Sequence, residues 1–351
     1  MTFPLVPALR GLRRSRILSA VAAVLLALPS LMADSRTEFL QLLDRPRVPL
    51  DPQLAGATTA NRLVRTPFSF VSEAGVRVPG IMIKLATLPG PRPVVIAMHG
   101  TGGNKETQVE YLERLAQAGF LAVAIDGRYH GARSQAGTGS VEYIDAILRA
   151  FRDGKEKPFF FDTAWDIMRL VDYLETRKDV DAKRIGLFGI SKGGIEAYLA
   201  AAADPRVAVV VPCIAVESFS WAVDHDSWQS RIGTVQAAFD TAAKESGIKN
   251  PGAAFVRTFY SRVAPGIDGK FDGPAMVPLI APRPLLSING EIDPRTPLPG
   301  VEICAEATRA AYRAAGAEDR FVLRIQPQTA HKVLPESMDA ALAWFVRWLK
   351  P

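Results

Sequence analysis

Short apolar runs alternate with stretches of helical periodicity along most of this sequence, and that alternation strongly limits the folds available to the chain. The apolar runs, which predict strands, are Val76–Ala86, Pro93–Met98, Phe120–Ile125, Arg184–Ile190, Val207–Ile214, Pro284–Asn289 and Phe321–Ile325. The stretches with helical spacing are Gln108–Ala118, Val141–Phe151, Thr163–Thr176, Gly193–Ala203, Val301–Ala315 and Glu336–Leu349. Buried strands that alternate with amphipathic helices form a parallel sheet covered on both faces. The sequence therefore predicts the α/β class, with a doubly wound, mostly parallel sheet of about eight strands.

One long stretch interrupts the alternation. Residues 215–280 contain several aromatic side chains but no clear strand, and a structureless loop of that length is improbable in a compact domain. We expect a mostly helical cap insertion over the carboxyl edge of the sheet, where ligands bind in such folds. Trp221 and Trp228 are its candidate substrate contacts, and core packing is the alternative role for its aromatic residues. Residues 34–65 show no strong pattern and are expected to form a helix and a connecting arm.

The N-terminal segment has the organisation of a secretory signal. Four arginines precede the apolar stretch Ile17–Leu31, and polar sequence begins after Ala33. A charged start, a short apolar centre and a small-residue end are typical of a cleaved signal peptide. The sequence therefore predicts a signal peptide at 1–33, a catalytic domain at 34–351, and a secreted or periplasmic protein with no stable membrane insertion after cleavage. An uncleaved membrane anchor is the alternative.

Charge and cysteine content exclude several classes of function. The formal net charge is +6, but without the four N-terminal arginines it falls to about +2, and no Lys/Arg run suited to phosphates is present. Nucleic acid is therefore not an expected partner. The two cysteines, Cys213 and Cys304, are too few for a disulfide framework or a metal cluster. A single disulfide and two buried free thiols are both open.

The strongest chemical signal is the sequence GISKGG, in which Ser191 is the central serine of a G-x-S-x-G motif. A predicted strand precedes the motif and a small-residue helix follows it, as required for a serine held on a sharp strand-to-helix turn. Such a turn lifts the hydroxyl clear of the sheet edge. Ser191 is therefore the candidate nucleophile.

A serine hydroxyl needs a base to take its proton and an acid to orient that base. After a serine on such a turn, the acid comes next along the chain and the histidine last. Of four histidines, His331 directly follows the last predicted strand. Asp293 follows the strand before it, and Glu291 is the competing acid two residues away. The predicted triad is Ser191, Asp293 and His331.

An oxyanion hole needs two preorganised N–H donors. The backbone N–H of Lys192, directly after the nucleophile, is one candidate. The second comes from the glycine-rich loop after Met98, HGTGG, where Thr101 is preferred and Gly102 is next. Gly102 is also a candidate substrate contact. His99, at the start of this loop, is expected to shape it rather than to transfer protons.

Together these motifs resemble the α/β-hydrolase superfamily and, within it, the dienelactone-hydrolase-like and acetyl xylan esterase-like serine hydrolases. The resemblance extends roughly from Val76 to the C-terminus, and the segments that carry it are HGTGGNKE, DGRYHGAR, FDTAWDIMRLVDYLETRKDVDAKRIGLFGISKGG, GEIDPRTPL and QTAHK. It implies ester hydrolysis through an acyl-enzyme, without a metal or an organic cofactor. Dienelactone hydrolases proper use a cysteine nucleophile, and Ser191 occupies that place here, which argues against dienelactones as substrates.

The sequence thus predicts an exported serine carboxylic-ester hydrolase whose partner is a small-molecule ester, with small or acetyl esters as substrates. Three alternatives share the same scaffold: a prolyl-oligopeptidase-like serine peptidase, an acyltransferase, and a catalytically silent binding protein.

Overall fold

A ten-stranded mixed sheet runs through the centre of the molecule, in a computed structural model that describes residues 35–135 and 141–350. The strands are β1 (Gln53–Leu54), β2 (Thr58–Ala60), β3 (Leu63–Glu73), β4 (Val76–Leu85), β5 (Arg92–Met98), β6 (Leu121–Ile125), β7 (Val180–Ile190), β8 (Val207–Cys213), β9 (Leu285–Gly290) and β10 (Phe321–Gln326). The helices are α1 (35–43), α2 (Val109–Gln117), α3 (Val141–Asp153), α4 (Phe161–Glu175), α5 (Lys192–Ala203), α6 (Phe219–Asp224), α7 (Gln229–Ile232), α8 (Gln236–Glu245), α9 (Ala253–Val263), α10 (Gly273–Met276), α11 (Leu298–Ala314) and α12 (Pro335–Leu349).

The strand order is β1-β3-β4-β6-β5-β7-β8-β9-β10, with β2 paired to β3. From β6 to β10 neighbouring strands are parallel, whereas β1 to β4 are joined by antiparallel pairing. The predicted α/β class and mostly parallel sheet are confirmed. The chain passes from β5 to β6 on one side and then crosses to β7 on the other, so β5 and β7 flank the point where the order reverses. Ligands bind outside the carboxyl ends of strands at such a point.

Helices cover both faces of the sheet and create two apolar cores. On one face, α2 and α12 bury Leu112, Leu115 and Phe345 against β5, β7 and β8. On the other, α1, α4, α5 and the insertion helices form a larger core that includes Phe161 and Tyr198. Burial on both sides explains why the central strands are continuous apolar runs in the sequence.

The insertion at 215–280 is helical, as the sequence predicts, and contains α6 to α10. Its aromatic side chains divide into two groups. Phe219, Phe239, Phe255 and Phe259 are buried in the larger core, and the last three lie near Phe151 of α3 or near one another. Core packing is therefore the role of these four, and only Trp221 and Trp228 stay half-buried.

The edge of the sheet differs from the sequence-based expectation. The expected arm at 34–65 contains α1, but it also contains β1, β2 and the start of β3. Two of these strands are only two and three residues long and fully exposed, so they have no burial pattern to detect. Without β1 and β2, the sheet consists of the eight longer strands β3 to β10.

The predicted signal peptide at 1–33 lies outside the described residues. Within them, no helix is both long and apolar enough to cross a membrane. Cys213 and Cys304 are both free and buried, so the disulfide alternative is wrong.

Candidate active site

Ser191 lies on a sharp turn between β7 and α5. Its backbone has φ 55° and ψ −119°, a conformation that residues with side chains rarely adopt. A Cβ at Gly193 would lie 2.5 Å from the Met98 carbonyl oxygen, and one at Gly189 would lie 2.1 Å from the Gly193 carbonyl oxygen. A side chain at either glycine would displace the turn, which explains why the motif needs both.

The structure brings Ser191, His331 and Asp293 into one hydrogen-bonded series. His331 Nε2 lies 2.8 Å from Ser191 Oγ, and His331 Nδ1 lies 2.8 Å from Asp293 Oδ2. The competing acid, Glu291, accepts hydrogen bonds from the backbone N–H and the side-chain amide of Gln328 instead. Of the two acids considered from the sequence, Asp293 is therefore the one that contacts His331.

Asp293 is held from several directions. Its Oδ1 accepts the Arg295 backbone N–H and its Oδ2 accepts the Thr296 hydroxyl, each at 2.8 Å. Burial acts to raise the pKa of Asp293, but hydrogen bonds from His331, Arg295 and Thr296 together with the His331 charge hold it below its usual value. An ionised carboxylate beside Nδ1 favours the tautomer that carries its proton there. His331 Nε2 is then free to accept the Ser191 proton.

The loop after β5 lies beside Ser191, because Met98 and Gly189 are paired in neighbouring strands. A Cβ at Gly100 would lie 3.5 Å from Ser191 Cβ. The Gly103 N–H donates to the Gly100 carbonyl at 3.1 Å, closing a turn in which Gly102 has φ +77°. A positive φ at the third position is typical of a type II turn and favours glycine. The positive φ at this position thus explains why residue 102 is a glycine.

His99 holds this turn from inside the protein. Its Nδ1 lies 2.8 Å from the Gly100 carbonyl oxygen, and its Nε2 lies 3.0 Å from the Gly127 nitrogen. Because the Gly127 N–H donates, Nε2 accepts and Nδ1 carries the proton. Burial, reinforced by the charge of Lys192, lowers the pKa of His99 to about 4. The two groups of a trans peptide point in opposite directions, so a Gly100 carbonyl directed at His99 turns the Thr101 N–H away from it.

Lys192 has a buried side chain that sequence reasoning missed. Its backbone nitrogen opens α5 directly after Ser191, but its ammonium group pairs with Glu196 one helical turn later, and both side chains are almost fully buried. Lys192 Nζ also lies 5.3 Å from the centre of the Tyr143 ring. Burial raises the pKa of Glu196, and the Lys192 charge opposes that rise. The sequence did contain a signal for this ion pair, because a lysine and a glutamate lie four residues apart in a predicted helix of small residues.

A second buried ion pair joins the start of the insertion to α7. Arg231 pairs with Glu217, and its Nη2 donates to the Ala215 carbonyl at 2.9 Å. Burial raises the pKa of Glu217 to about 7 although Arg231 opposes the rise. Nothing in the sequence pattern indicates this pair, because the two residues are fourteen positions apart and α6 lies between them.

Within the described part of the chain, two cavities border the hydrogen-bonded series. One, of about 370 Å³, borders His331 and is also lined by Thr107, Gln108, Glu110, Tyr111, Arg114, Ile190, Ile214, Lys332, Val333, Pro335 and Met338. The other, of about 570 Å³, borders Asp293 and is also lined by Asp226, Ser227, Gln229, Ser230, Gly233, Pro294, Arg295 and Pro297. Among the described residues, no group of His, Cys, Asp and Glu side chains is arranged to hold a metal ion.

The predicted substrate contacts Trp221 and Trp228 line neither of these two cavities. Trp221 stacks on His225 with ring centres 4.5 Å apart. Trp228 donates through Nε1 to Asp226 Oδ1 at 3.0 Å, and Asp226 itself lines the larger cavity. Trp228 thus contacts a residue in the wall of the larger cavity, whereas Trp221 contacts His225.

Comparison with known families identifies the chain. The family model described as acetyl xylan esterase (AXE1) matches residues 40–223, just over half of the sequence. The chain belongs to the acetyl xylan esterase family. A second model, of the prolyl oligopeptidase family, matches residues 149–351 and so covers the carboxyl-terminal part of the same α/β-hydrolase fold. This places the protein among the carboxylic ester hydrolases.

Individual relatives of this esterase are distant. It is 26% identical over 286 residues to protein YtaP of Bacillus subtilis, covering 78% of this chain and 84% of YtaP. It is 28% identical over 192 residues to a 4-O-methyl-glucuronoyl methylesterase of Neurospora crassa, covering 53% of this chain and 46% of that protein. The chain thus spans somewhat less than half the length of that methylesterase.

Solved structures share the fold of this esterase. An acetyl xylan esterase from Paenibacillus sp. R4 superposes with a TM-score of 0.64 at 19% identity, covering 90% of this chain and 93% of the other. At that level of identity the likeness establishes the α/β-hydrolase fold.

Proposed function

We propose that this esterase hydrolyses small carboxylic esters, acetyl esters in particular, through an acyl-enzyme formed on Ser191. The observation that carries the proposal is the hydrogen-bonded series from Ser191 through His331 to Asp293, with 2.8 Å at each step. In the proposed reaction His331 Nε2 takes the Ser191 proton while Oγ attacks the acyl carbon. The tetrahedral intermediate then collapses, and His331 passes that proton to the departing alcohol oxygen.

The second half of the reaction repeats these steps with water. A water molecule gives a proton to His331 Nε2 and attacks the acyl-enzyme, and His331 returns the proton to Ser191 Oγ as the acid leaves. Asp293 stays ionised throughout and stabilises the imidazolium form of His331. The ester and one water molecule are the only reactants that this reaction needs.

The proposed oxyanion hole consists of the backbone N–H groups of Lys192 and Thr101. Support comes from the position of Lys192 at the start of α5 and from the turn that His99 holds beside Ser191. Donors fixed in advance stabilise the developing charge without reorganisation when the reaction occurs.

Acetylated carbohydrates are the substrate class that we propose to test first, since the family and one structural relative are named for acetyl xylan. The experiment compares kcat/KM for p-nitrophenyl esters from acetate to palmitate, together with acetylated xylo-oligosaccharides. The proposal expects the acetyl esters to be cleaved fastest. A clear preference for long acyl chains would overturn it.

The match of the prolyl oligopeptidase model to residues 149–351 favours a serine peptidase as the second candidate function. Peptide p-nitroanilides, with and without proline before the scissile bond, test it in the same assay. Hydrolysis of these amides at rates comparable to the acetyl esters would favour the peptidase.

We also propose that residues 1–33 are removed on export and that the catalytic domain at 34–351 acts in the periplasm or outside the cell. The charged start and apolar centre of the segment support this. N-terminal sequencing of the protein from a bacterial host tests it: a mature start near residue 34 is expected, and a membrane-bound product retaining its original N-terminus would contradict it.

A further inference from the structure

The cavity of about 570 Å³ beside Asp293 has an unusual wall. Apart from two prolines and one glycine, every residue that lines it is polar or charged. It lies between α7 and the loop after β9, so the insertion supplies one side and the triad loop the other. Although much of the surface of the wall is apolar, its side chains provide donors and acceptors for a ligand that carries hydroxyl or charged groups.

Arg295 is the single cationic residue in the lining of this cavity, which also includes the carboxylates of Asp226 and Asp293. Its side chain is half-buried, and its Nη1 lies 3.7 Å from the position of a Cβ on Gly233, which also lines the cavity. Among the described residues, no carboxylate lies within ion-pair distance of its guanidinium and no side-chain hydrogen bond of Arg295 is found. Its backbone N–H, by contrast, is committed to Asp293.

Several other sheltered arginines among the described residues pair with carboxylates, whereas Arg283 binds backbone carbonyls and the buried Arg92 has its Nε and Nη1 unpartnered. Arg128 and Arg133 both bind Asp166, Arg45 binds two carboxylates, and Arg231 binds Glu217. A half-buried guanidinium loses part of its hydration, and a carboxylate ligand would restore it through charge-assisted, bidentate hydrogen bonds. Arg295 is therefore available for an anion that the protein does not itself supply.

The rest of the wall suits hydroxyl groups. Gln229 is exposed, and the carboxylate of Asp226 is oriented by the Trp228 indole N–H at 3.0 Å. Ser230 is 5% exposed, and its hydroxyl has no hydrogen-bond partner. A purely anionic ligand would be repelled by Asp226 and Asp293, whereas a ligand whose carboxylate reaches Arg295 and whose hydroxyl groups reach Asp226 and Gln229 matches both parts of the wall.

We propose that this cavity is a subsite for a carboxylate of the ester substrate, which binds Arg295 while neighbouring hydroxyl groups of the substrate bind Asp226 and Gln229. The preferred substrate is then an ester that carries a free carboxylate, in either its alcohol part or its acyl part. The role of this subsite in ester hydrolysis rests on the function proposed above. Binding of a carboxylate to Arg295 does not depend on that function.

The kinetic test compares matched pairs of esters. For the alcohol part, the pair is an acetylated methyl glucuronoside against the acetylated methyl glucoside. For the acyl part, it is mono-p-nitrophenyl glutarate against p-nitrophenyl valerate. A charge-assisted pair predicts that kcat/KM favours the charged member of one pair about tenfold or more. Arg295→Gln should remove that preference, and Arg295→Lys should keep part of it.

Arg309→Gln is the matched control, because Arg309 lies on α11 and lines a different cavity; the preference should persist in this variant. The pair of esters in which kcat/KM favours the charged member shows whether the alcohol part or the acyl part carries the carboxylate. Equal kcat/KM within both pairs for the wild type, or a preference that survives Arg295→Gln, would overturn the proposal.

Calorimetry on the Ser191→Ala protein separates this proposal from the proposed hydrolysis. Glucuronate or glutarate should bind, glucose should bind more weakly, and the added Arg295→Gln change should weaken binding of the acid about tenfold or more. If no ester is cleaved but this difference is found, the reaction is wrong and the anion site stands. If the acids bind equally well with and without Arg295, the anion site is wrong.

Discussion

Asp293 and Glu291 are two residues apart, yet their carboxylates have different partners. Asp293 contacts His331, and Glu291 is bonded to Gln328. Asp293→Asn should lower kcat for ester hydrolysis about 10³-fold or more, because the amide no longer stabilises the imidazolium and favours the wrong tautomer. Glu291→Gln is the matched control and should retain kcat within about twofold. Equal losses in the two variants would contradict the assignment of the acid.

Lys192 and Glu196 form a buried ion pair in the first turn of α5, which begins directly after Ser191. Removal of one partner leaves an uncompensated charge and should cost about 3–5 kcal/mol of unfolding free energy. We expect this of Lys192→Met and of Glu196→Leu alone, and a clearly smaller loss when both are combined. Urea unfolding of the two single variants and the double variant measures the coupling. Additive losses would show that the two side chains do not depend on each other.

At the scale of elements, Asp272 fastens α6 to the rest of the insertion. Its carboxylate accepts the Ser218 hydroxyl at 2.8 Å and the backbone N–H groups of Phe219, Ser220 and Gly273 at 2.7, 3.1 and 2.7 Å. Asp272→Ala leaves these buried donors unpaired. Amide hydrogen exchange in α6 should therefore accelerate, with no comparable change in α2 on the opposite face of the sheet.

Asp240→Ala provides the control for that experiment. Asp240 lies exposed on α8 of the same insertion, and its loss should leave exchange in α6 unchanged. Equal acceleration in both variants would mean that Asp272 has no special part in holding α6.

At the scale of the whole molecule, parallel strands bring distant residues together. Ser191, Asp293 and His331 each follow a different strand, and β7, β9 and β10 end at the same edge of the sheet. That consequence of parallel pairing could be predicted from the sequence, because the apolar runs mark the strands and the motif marks the turn. The placement of the loop containing Thr101 followed from the same argument.

Other features could not be predicted, for physical reasons. The strand β3 carries Pro67 in its interior and is only half-buried, and proline within a run argues against a strand. The pairing of Lys192 with Glu196 and the unpaired state of Arg295 depend on where side chains point after packing. The spacing of apolar residues along the sequence contains no information on the direction of these side chains. The core role of Phe239 and the half-burial of Trp228 likewise follow from the way the insertion folds onto α3.

The pH dependence of stability is also a property of the whole molecule. The pKa of His99 is lowered to about 4 by burial and then by Lys192. Between pH 6.5 and 4 the unfolded chain takes up a proton that folded His99 refuses, so acidification through this window favours unfolding. The buried acids Glu217 and Asp272, with pKa values raised to about 7 and about 6 mainly by burial, act in the opposite direction.

A variant isolates the contribution of His99 from those of the two acids. His99→Gln keeps a donor and an acceptor but does not titrate. The free energy of unfolding of the wild type, relative to this variant, should fall by about 2 kcal/mol between pH 7.5 and pH 5. Urea unfolding at the two pH values measures it. A difference that does not change with pH would show that His99 is not held neutral by burial.

The central claim is that Ser191 is the nucleophile of this esterase, and covalent labelling tests it most directly. The intact protein is treated with a fluorophosphonate and its mass is measured, followed by peptide mapping. We expect the addition of one phosphonyl group, located on Ser191, and no addition to a folded Ser191→Ala variant. A folded wild-type protein that stays unlabelled, or a label on another residue, would contradict the account.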